Sequence, residues 1–504
     1  MRYLLGVDHG GSSVKATLLS EEGQTVATAV EEYRTYYPQD RWAEHNPDEL
    51  YAAFCRVTKR LVAVCGVPAD QIVGLAISAA SQSGVYLDEN DQVIRNSIYW
   101  ADMRGMSYAR VFEKTEMEYF LSATANQPSP SRTLIHIMWL RDHEPENYLR
   151  IRKIMFTKDY IRYRLTGDFV TDYIDAMGSH FMDVPKNCWS EKLCSYAGIT
   201  PDILPKILNP TDEVGPITRK AAEETGLSQK TKVYVGTTDT VMETYANGAV
   251  REGDMVIKLA TAGRIISVTR GPLRQRGFVN YKHVVPGLWY PGAATRYCAT
   301  TYRWYRDVLG DYEVTQAAAK GIDAYRLLDH LAEQAPVGSA GVMFMPFLGG
   351  VNDAPGRCAA FLGVRADHNK SHLTRAVLEG VGYSMKAEFE TIRKLKLKVE
   401  HPTLIGGGAK GKIWQQIMAD MLNTELILTE NSDSSLGTAM LAGVASGIFV
   451  SFEDSVEKSV HRAGLVSPNP ESVEIYNQGF RFYQKFIMAM DPIYAEIDQE
   501  QTED

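Results

Sequence analysis

Two segments about 250 residues apart spell out the same plan, and this repeat restricts the fold more than any other feature of the sequence. Residues 3–7 are a short apolar run, residues 10–13 have turn chemistry, and residues 14–19 are a second apolar run. Residues 255–259, 260–263 and 264–269 repeat that order of strand, small-residue turn and strand. A plan that recurs after half the chain implies two lobes of related topology. A length of 504 residues suits this, since domains of roughly 100–200 residues allow two to four compact units.

The first lobe reads β-β-β-α-β, an α/β pattern with a mixed sheet. Two or three hairpin strands over 3–30 lead to a helix over 48–65, where Leu50, Phe54, Val57 and Leu61 fall on one face, and then to a buried strand over 72–78. Residues 142–175 are amphipathic and aromatic, 200–216 form a proline-punctuated connector, and 233–236 a strand. A polar turn over 237–240 and a helix over 241–249 complete the lobe. The second lobe continues with a strand over 341–348, a glycine-rich loop, a long helix over 372–394, a strand over 401–405 and a helix over 412–422. A last amphipathic helix carries Tyr476, Phe480, Tyr483 and Ile487 on one face, and the acidic tail after Tyr494 frays. The expected division is 1–250, 251–450 and a helical extension over 451–504.

Composition removes several function classes. With 53 basic against 62 acidic residues the net charge is −9, which gives no field for a nucleic-acid backbone. The six cysteines, Cys55, Cys65, Cys188, Cys194, Cys298 and Cys358, form no C-x-x-C pair and are too few for a disulfide scaffold; they read as buried thiols. No signal-like segment and no run of eighteen apolar residues is present, so a cytoplasmic protein is expected, without membrane or nucleic-acid partners. The histidines form no metal triad.

Asp8 ends the first strand and is followed by Gly10, Gly11, Ser12, Ser13 and Lys15. Glycines let backbone N–H groups approach an anion, hydroxyls add donors, and an ionised aspartate there can hold Mg²⁺ through water; the same residues also make an ordinary hairpin. Residues 406–412, GGGAKGK, have the spacing of a phosphate-binding P-loop, but Ile413 stands where Ser or Thr would hold Mg²⁺, so that reading fails. Three glycines before a helix still permit close approach of a nucleotide, or serve only a tight turn. Asp239 follows a strand and opens a helix, where a carboxylate serves as helix cap or as general base. Ser81, Gln82 and Ser83 follow the 72–78 strand, and Asp102 and Arg104 follow a strand-like 97–99. Open α/β sheets bind ligands at such strand ends, although Asp102 and Arg104 also suit a surface ion pair. The aromatic and basic stretch over 289–306 has the spacing of core cover.

Together these pieces resemble the FGGY family of carbohydrate kinases, from Tyr3 to about Ile448. Ala359, Phe361, Gly363, Val364, then seven residues, then His372, Leu373 and the run Ala376–Glu379 fit the family signature. Further matches are GVDHGGSSVKA at the start, W-x-D-x-R at 100–104, KDYIRYRLTGDFVTDYIDA at 158–176, G-x-x-D at 236–239 and GGGAKGKIWQQIMAD at 406–420. The resemblance implies two ribonuclease-H-like, actin-like lobes with mixed sheets around a cleft, sugar mainly on the first and ATP mainly on the second. It makes Asp8 the phosphate-side acid near Mg²⁺ and Asp239 the catalytic base, with both beside the metal. Ser81, Gln82, Ser83, Asp102 and Arg104 would face the sugar. Gly10, Gly11, Ser12, Ser13 and Lys15 would form one phosphate turn, Thr261 and Gly263 a second, and Gly407 and Gly408 the nucleoside floor.

The sequence departs from the family at Ala260 and Ala262, where Gly and Ser are usual, and at Ser81–Gln82–Ser83, where xylulokinases have Gln-Met-His. No Arg-Glu pair occurs there, which argues against glycerol as substrate. The implied activity is ATP-dependent phosphorylation of a small sugar, most nearly a ketopentose such as xylulose. Kinases for other polyols, hexuloses or linear signalling sugars, and a non-catalytic actin-like switch, are the alternatives. The expected partners are sugar and ATP, with a homodimer among the assemblies open to the chain.

Overall fold

In the computed structural model, which describes residues 1–275, 277–349, 357–430 and 433–502, the chain divides into two compact units. The first unit comprises Met1–Arg251, Val268–Pro291 and Asn431–His461; the second comprises Glu252–Ser267, Gly292–Glu430 and Arg462–Asp504. Each is α/β with a mixed sheet. Each unit is assembled from three stretches of chain, because segments distant in sequence complete the first unit's core.

The first sheet contains β1 (Tyr3–His9), β2 (Ser13–Ser20), β3 (Thr25–Glu32), β4 (Ile72–Ala79), β5 (Glu213–Pro216), β6 (Lys232–Tyr234) and β7 (Thr237–Thr238). Its order is β5-β6-β4-β1-β2-β3, with β7 also paired to β4. The β1–β2–β3 meander and the β5–β6 pair are antiparallel, whereas β1, β6 and β7 all run parallel to β4. Leu4, Leu5, Gly6 and Val7 are buried on four successive positions, the mark of a strand covered on both faces. Helix α1 (Pro47–Val64) covers one face through Phe54, Val57 and Leu61; its start is fixed by Pro47 and by the Asn46 side chain, which accepts from the Asp48 and Glu49 amides. Helix Ser434–Ala445 packs on β1, β2 and β4. It lies so close that a Cβ on Gly6 would stand 2.2 Å from the Ala439 nitrogen. This contact brings residues 431–461 into the first unit.

Four further helices of this unit position side chains discussed below: α2 (Thr133–His143), α3 (Thr157–Thr166), α4 (Tyr173–Gly178) and α5 (Asp239–Ala246). The polar turn expected over 237–240 is instead the short strand β7 followed at once by α5, which starts two residues early and ends at Ala246. The connector over 200–216 supplies a sheet strand, β5.

The second unit repeats the arrangement. It holds β8 (Asp254–Leu259), β9 (Gly263–Ser267), β10 (Gly292–Thr295), β11 (Glu400–Ile405), β12 (Leu426–Thr429) and β13 (Arg462–Val466), in the order β10-β9-β8-β11-β12-β13. An antiparallel meander, two parallel pairings and an antiparallel edge follow in the same sequence as in the first sheet. The 250-residue repeat is therefore a repeat of topology, with the β8–β9 turn standing where the β1–β2 turn stands. Its helices include α6 (Ala299–Leu309), α7 (Ala324–Glu333), α8 (Lys370–Lys394) and α9 (Lys412–Leu422). Tyr302 and Tyr305 are buried, as the core reading of 289–306 requires. Helix Pro470–Thr502 continues past Tyr494 where fraying was expected. Most of the glycine-rich loop after Leu348 lies outside the described residues.

The thiols are less sheltered than composition suggests: Cys194 and Cys298 are buried, Cys55 and Cys65 half-buried, and Cys188 and Cys358 exposed. No helix among the described residues is long and apolar enough to cross a membrane.

Candidate active site

In the first unit, the parallel strands β1, β4 and β7 end together. Register puts Asp8 opposite Ser78 and Ser78 opposite Thr237, so Asp239, two residues on, lies at the same sheet edge as Asp8. Ser78 Oγ donates to Asp8 Oδ1 at 2.6 Å and shares a 2.7 Å hydrogen bond with Thr438 Oγ1. Burial, the charge of Asp239, and then those of Asp433 and Glu243 hold the Asp8 carboxyl well above the usual range, against the lowering effect of Ser78. Surplus negative charge of this kind is what a divalent cation relieves. No cluster of three or more His, Cys, Asp or Glu ligands occurs among the described residues. The donor set fits Mg²⁺, which takes one or two carboxylates and fills its remaining positions with water and phosphate oxygens.

Asp239 is half-buried at the first position of α5, and Thr238 occupies the cap position. The Asp239 Oδ1 atom accepts from the Thr240 amide at 2.6 Å and from Thr240 Oγ1 at 3.1 Å, a local turn that orients the carboxylate without capping a later amide. The capping alternative is thereby removed. The charge of Asp239 is felt at Asp8, Tyr33, Tyr99 and Tyr290, the groups around it.

The β1–β2 turn is fixed from behind. Tyr33 donates to the Gly10 carbonyl, Thr35 donates to the Gly11 carbonyl at 2.8 Å, and His45 Nε2 lies 3.0 Å from the same oxygen. Gly11 and Ser12 are exposed at the tip, and a Cβ on Gly11 would approach Tyr99 Oη to 3.0 Å. Lys15 is held at 2.6 Å by Asp433, the cap of helix Ser434–Ala445. Its ammonium is thus already paired.

At the end of β4, Gln82 adopts a left-handed φ of 73°, a conformation that costs energy for a side-chain-bearing residue and recurs at ligand sites. Its Nε2 donates to Tyr281 Oη at 2.7 Å, its Oε1 accepts from Ser131 Oγ at 3.2 Å, and its amide donates to Asp175 Oδ1 at 3.2 Å. Ser81 is half-buried beside it, whereas Ser83 points inward and is buried. Behind Gln82 lies a sealed charge cluster. Lys158 contacts Asp159 at 2.6 Å, Asp172 at 2.8 Å and Asp175 at 3.3 Å, and Arg162 contacts Asp159 at 2.9 Å. Asp172 also accepts from Thr237 Oγ1 at 2.8 Å, so one cluster braces both Gln82 and the strand leading to Asp239. Burial, working against Lys158, lifts Asp175 to about 7.

Asp102 and Arg104 depart from both sequence alternatives. Asp102 is fully buried; its oxygens accept from the Ala43 amide at 2.7 Å, the Arg104 amide at 2.8 Å and the Arg104 guanidinium at 2.8–2.9 Å. Arg104 also pairs with Glu44 at 2.7 Å and lies 3.8 Å over the ring of Trp42. This is no surface ion pair. The carboxylate is committed to holding its own loop, on which Trp100 is exposed.

In the second unit, Thr261 is exposed on the β8–β9 turn, whose carbonyls at 260 and 261 accept from Ala299 and Cys298 at the start of α6. Gly263 is buried, and a Cβ there would collide with Met385 and Thr295, so packing alone requires a glycine at this position. Of the 406–408 glycines, Gly407 alone has open space around it; Gly408 is pressed on Trp414 and Leu259. Lys412 is exposed.

Several residues here escape a reading of the sequence. Tyr33, His45, Tyr281 and Tyr290 join the site from far along the chain. The Lys158–Asp175 cluster left one signal, seven charged residues interleaved with aromatic and aliphatic ones over 158–175.

Residues 3–245 match the N-terminal domain, and residues 232–446 the C-terminal domain, of the FGGY family of carbohydrate kinases. A xylulose kinase of Lactococcus lactis subsp. lactis (strain IL1403) is 30% identical over 493 residues, 96% of each chain. A gluconokinase of Bacillus licheniformis is 29% identical over 505 residues, 98% of this chain and 97% of that one. The crystal structure of a xylulose kinase from Rhodospirillum rubrum matches with a TM-score of 0.91 at 26% identity, covering 98% of this chain and 100% of that one.

Proposed function

Because the chain belongs to the FGGY family of carbohydrate kinases and has its two-domain, actin-like α/β fold, we propose that it transfers the γ-phosphoryl group of ATP to a hydroxyl of a small open-chain sugar. The observation that carries this reading is the alignment of Asp8 and Asp239 at one edge of parallel strands. A sugar hydroxyl is a weak nucleophile at neutral pH. Asp239 takes its proton as the oxygen attacks phosphorus, the bond from phosphorus to the bridging oxygen breaks, and ADP leaves with the electron pair. Mg²⁺, held by Asp8 and Asp239 with the phosphates, would neutralise charge on the transferring group. The exposed turn at Gly10–Ser13 offers backbone donors to the phosphates, and Thr261 and Gly407 serve the nucleotide on the second unit. Lys15 is assigned to bracing that turn through Asp433, Gly263 and Gly408 to packing, and Ser83 to the wall behind Ser81 and Gln82. A reaction that draws on ATP belongs in the cytoplasm.

The acceptor expected from the sequence is a ketopentose such as xylulose. Xylulose kinases and gluconokinases stand at nearly equal identity to this chain, so neutral ketoses and sugar acids of five or six carbons are both within the class. An assay coupled to ADP release, run over pentuloses, hexuloses, polyols and sugar acids, should give sugar-dependent turnover well above the ATPase background with at least one of them. Sugar-independent ATP hydrolysis throughout would contradict the kinase reading and favour a switch.

A further inference from the structure

Arg132 is 4% exposed and, among the described residues, has no carboxylate partner. The other buried guanidinium groups all have one: Arg104 with Asp102 and Glu44, Arg162 with Asp159, and Arg375 with Glu379. A buried charge without a counter-charge is expensive, and proteins keep one mainly where something else supplies the opposite sign.

The surroundings show what that would be. Arg132 Nη1 donates to Tyr281 Oη at 2.6 Å and to the Gly178 carbonyl at 3.2 Å. Its Nε is buried without a partner, and its Nη2, which is not sealed, has none among the described residues. The titratable neighbour is His180, kept neutral first by burial and then by the charge of Arg132, so it offers no anion. Tyr281 Oη accepts from Arg132 and also from Gln82 Nε2 at 2.7 Å, which leaves its own hydrogen to be donated. Two donors, one of them charged, therefore converge beside Gln82, itself held in a left-handed conformation. Tyr281 stacks on Tyr290 at 5.6 Å, and Tyr290 Oη lies 3.4 Å from Thr238 Oγ1, the neighbour of Asp239. The corner belongs to the same unit and the same wall as the proposed base.

We propose that Arg132 and Tyr281, set by Gln82, receive a carboxylate on the acceptor, so that the preferred substrate is a sugar acid of the aldonate type. The proposal rests on the sugar-kinase reading and narrows it. A neutral ketose leaves the guanidinium unneutralised, whereas a carboxylate presents two oxygens to two donors. The carboxylate takes no part in the transfer; it fixes which end of the chain lies away from Asp239.

The test compares gluconate with glucitol, which has the same number of carbons and no carboxylate, and with xylulose. Binding is read by calorimetry and turnover by ADP release, on the wild-type protein and on Arg132→Gln and Arg132→Lys. Gluconate should bind and turn over better than either neutral compound. Arg132→Gln should raise the gluconate Kd and KM by about 30-fold or more, as loss of one partner of a buried charge pair does. The KM for ATP and the Kd for glucitol should stay within about threefold, and Arg132→Lys should restore part of the loss. Glucitol or xylulose preferred over gluconate in the wild type, or equal losses for acid and neutral compounds in Arg132→Gln, would overturn the proposal. Gluconate binding that depends on Arg132 without any phosphoryl transfer would uphold this corner and contradict the kinase reading. Turnover confined to neutral sugars would do the reverse. Should Arg132→Gln fail to fold, the wild-type preference and Arg132→Lys decide.

Discussion

Asp102 illustrates how burial reassigns a residue that the sequence places at a site. Four hydrogen bonds, two of them from the Arg104 guanidinium, occupy its oxygens, so its substitution acts first on the fold. Asp102→Asn breaks a buried pair and should cost about 3–5 kcal/mol, seen as a lower denaturant midpoint. An unchanged midpoint together with a raised sugar KM would instead make Asp102 a sugar contact. Asp8 and Asp239 are legible because Asp8 ends an apolar run and Asp239 follows one after a short polar turn, where a strand must stop and a ligand can be met. Arg132 and Tyr281 were not: they lie 149 residues apart and meet only because the 268–291 segment folds back onto the first unit. No local pattern records such a contact.

At the scale of elements, the hairpins, helix α1, strand β4 and helix α9 followed from periodicity, since their apolar positions repeat at the spacing their backbone needs. Strand β7 leaves no mark in the sequence because its two residues, Thr237 and Thr238, carry no apolar alternation. Gly236 was part of the reason: its φ of +73° and its approach to the Ile77 carbonyl turn the chain from β6 toward β4, and only the tertiary contact reveals it. Two glycines separate packing from binding. Gly6→Ala drives a methyl into the backbone of helix Ser434–Ala445 and should cost at least about 1–3 kcal/mol. Gly407→Val meets open space, so it should fold with a wild-type melting curve while raising the KM for ATP several-fold. A Gly407→Val enzyme with normal nucleotide kinetics would remove that glycine from the nucleotide floor.

For the whole molecule, five buried histidines among the described residues shape the response to acid. Burial lowers His9, His136 and His283 to about 3 and His45 to about 4, and with help from Arg132 it holds His180 well below the usual imidazole range. Each is neutral when folded and takes a proton more readily when unfolded, near pH 6.5. Their contribution is complete above that pH and is lost as pH falls toward 4 and 3, by about 1.4 kcal/mol per histidine per pH unit. Asp175, raised to about 7, has the opposite sign: its contribution is complete below the normal carboxylate range and is lost as pH rises through 7. Burial raises Asp8, Asp329, Asp420 and Glu388 as well, with the same sign as Asp175. These carboxyls offset part of the histidine loss, so thermal midpoints measured from pH 8 to pH 4 should fall below about pH 6.5 less steeply than the histidines alone would dictate. A midpoint that rises on acidification from 6.5 to 5 would contradict this assignment. The two-unit plan was visible in the repeated hairpin, but the exchange of segments 268–291 and 431–461 was not, because contacts rather than chain order define a compact unit.

The proposed role of Asp239, accepting the proton of the attacking hydroxyl, is tested most directly by the turnover of Asp239→Asn alongside its melting temperature and ATP affinity. Asparagine can keep the contact with Thr240 but cannot take the proton. The kcat should fall by about 10²–10⁴ with the melting temperature and ATP binding little changed. A stable Asp239→Asn protein that phosphorylates its sugar at the wild-type rate would contradict it.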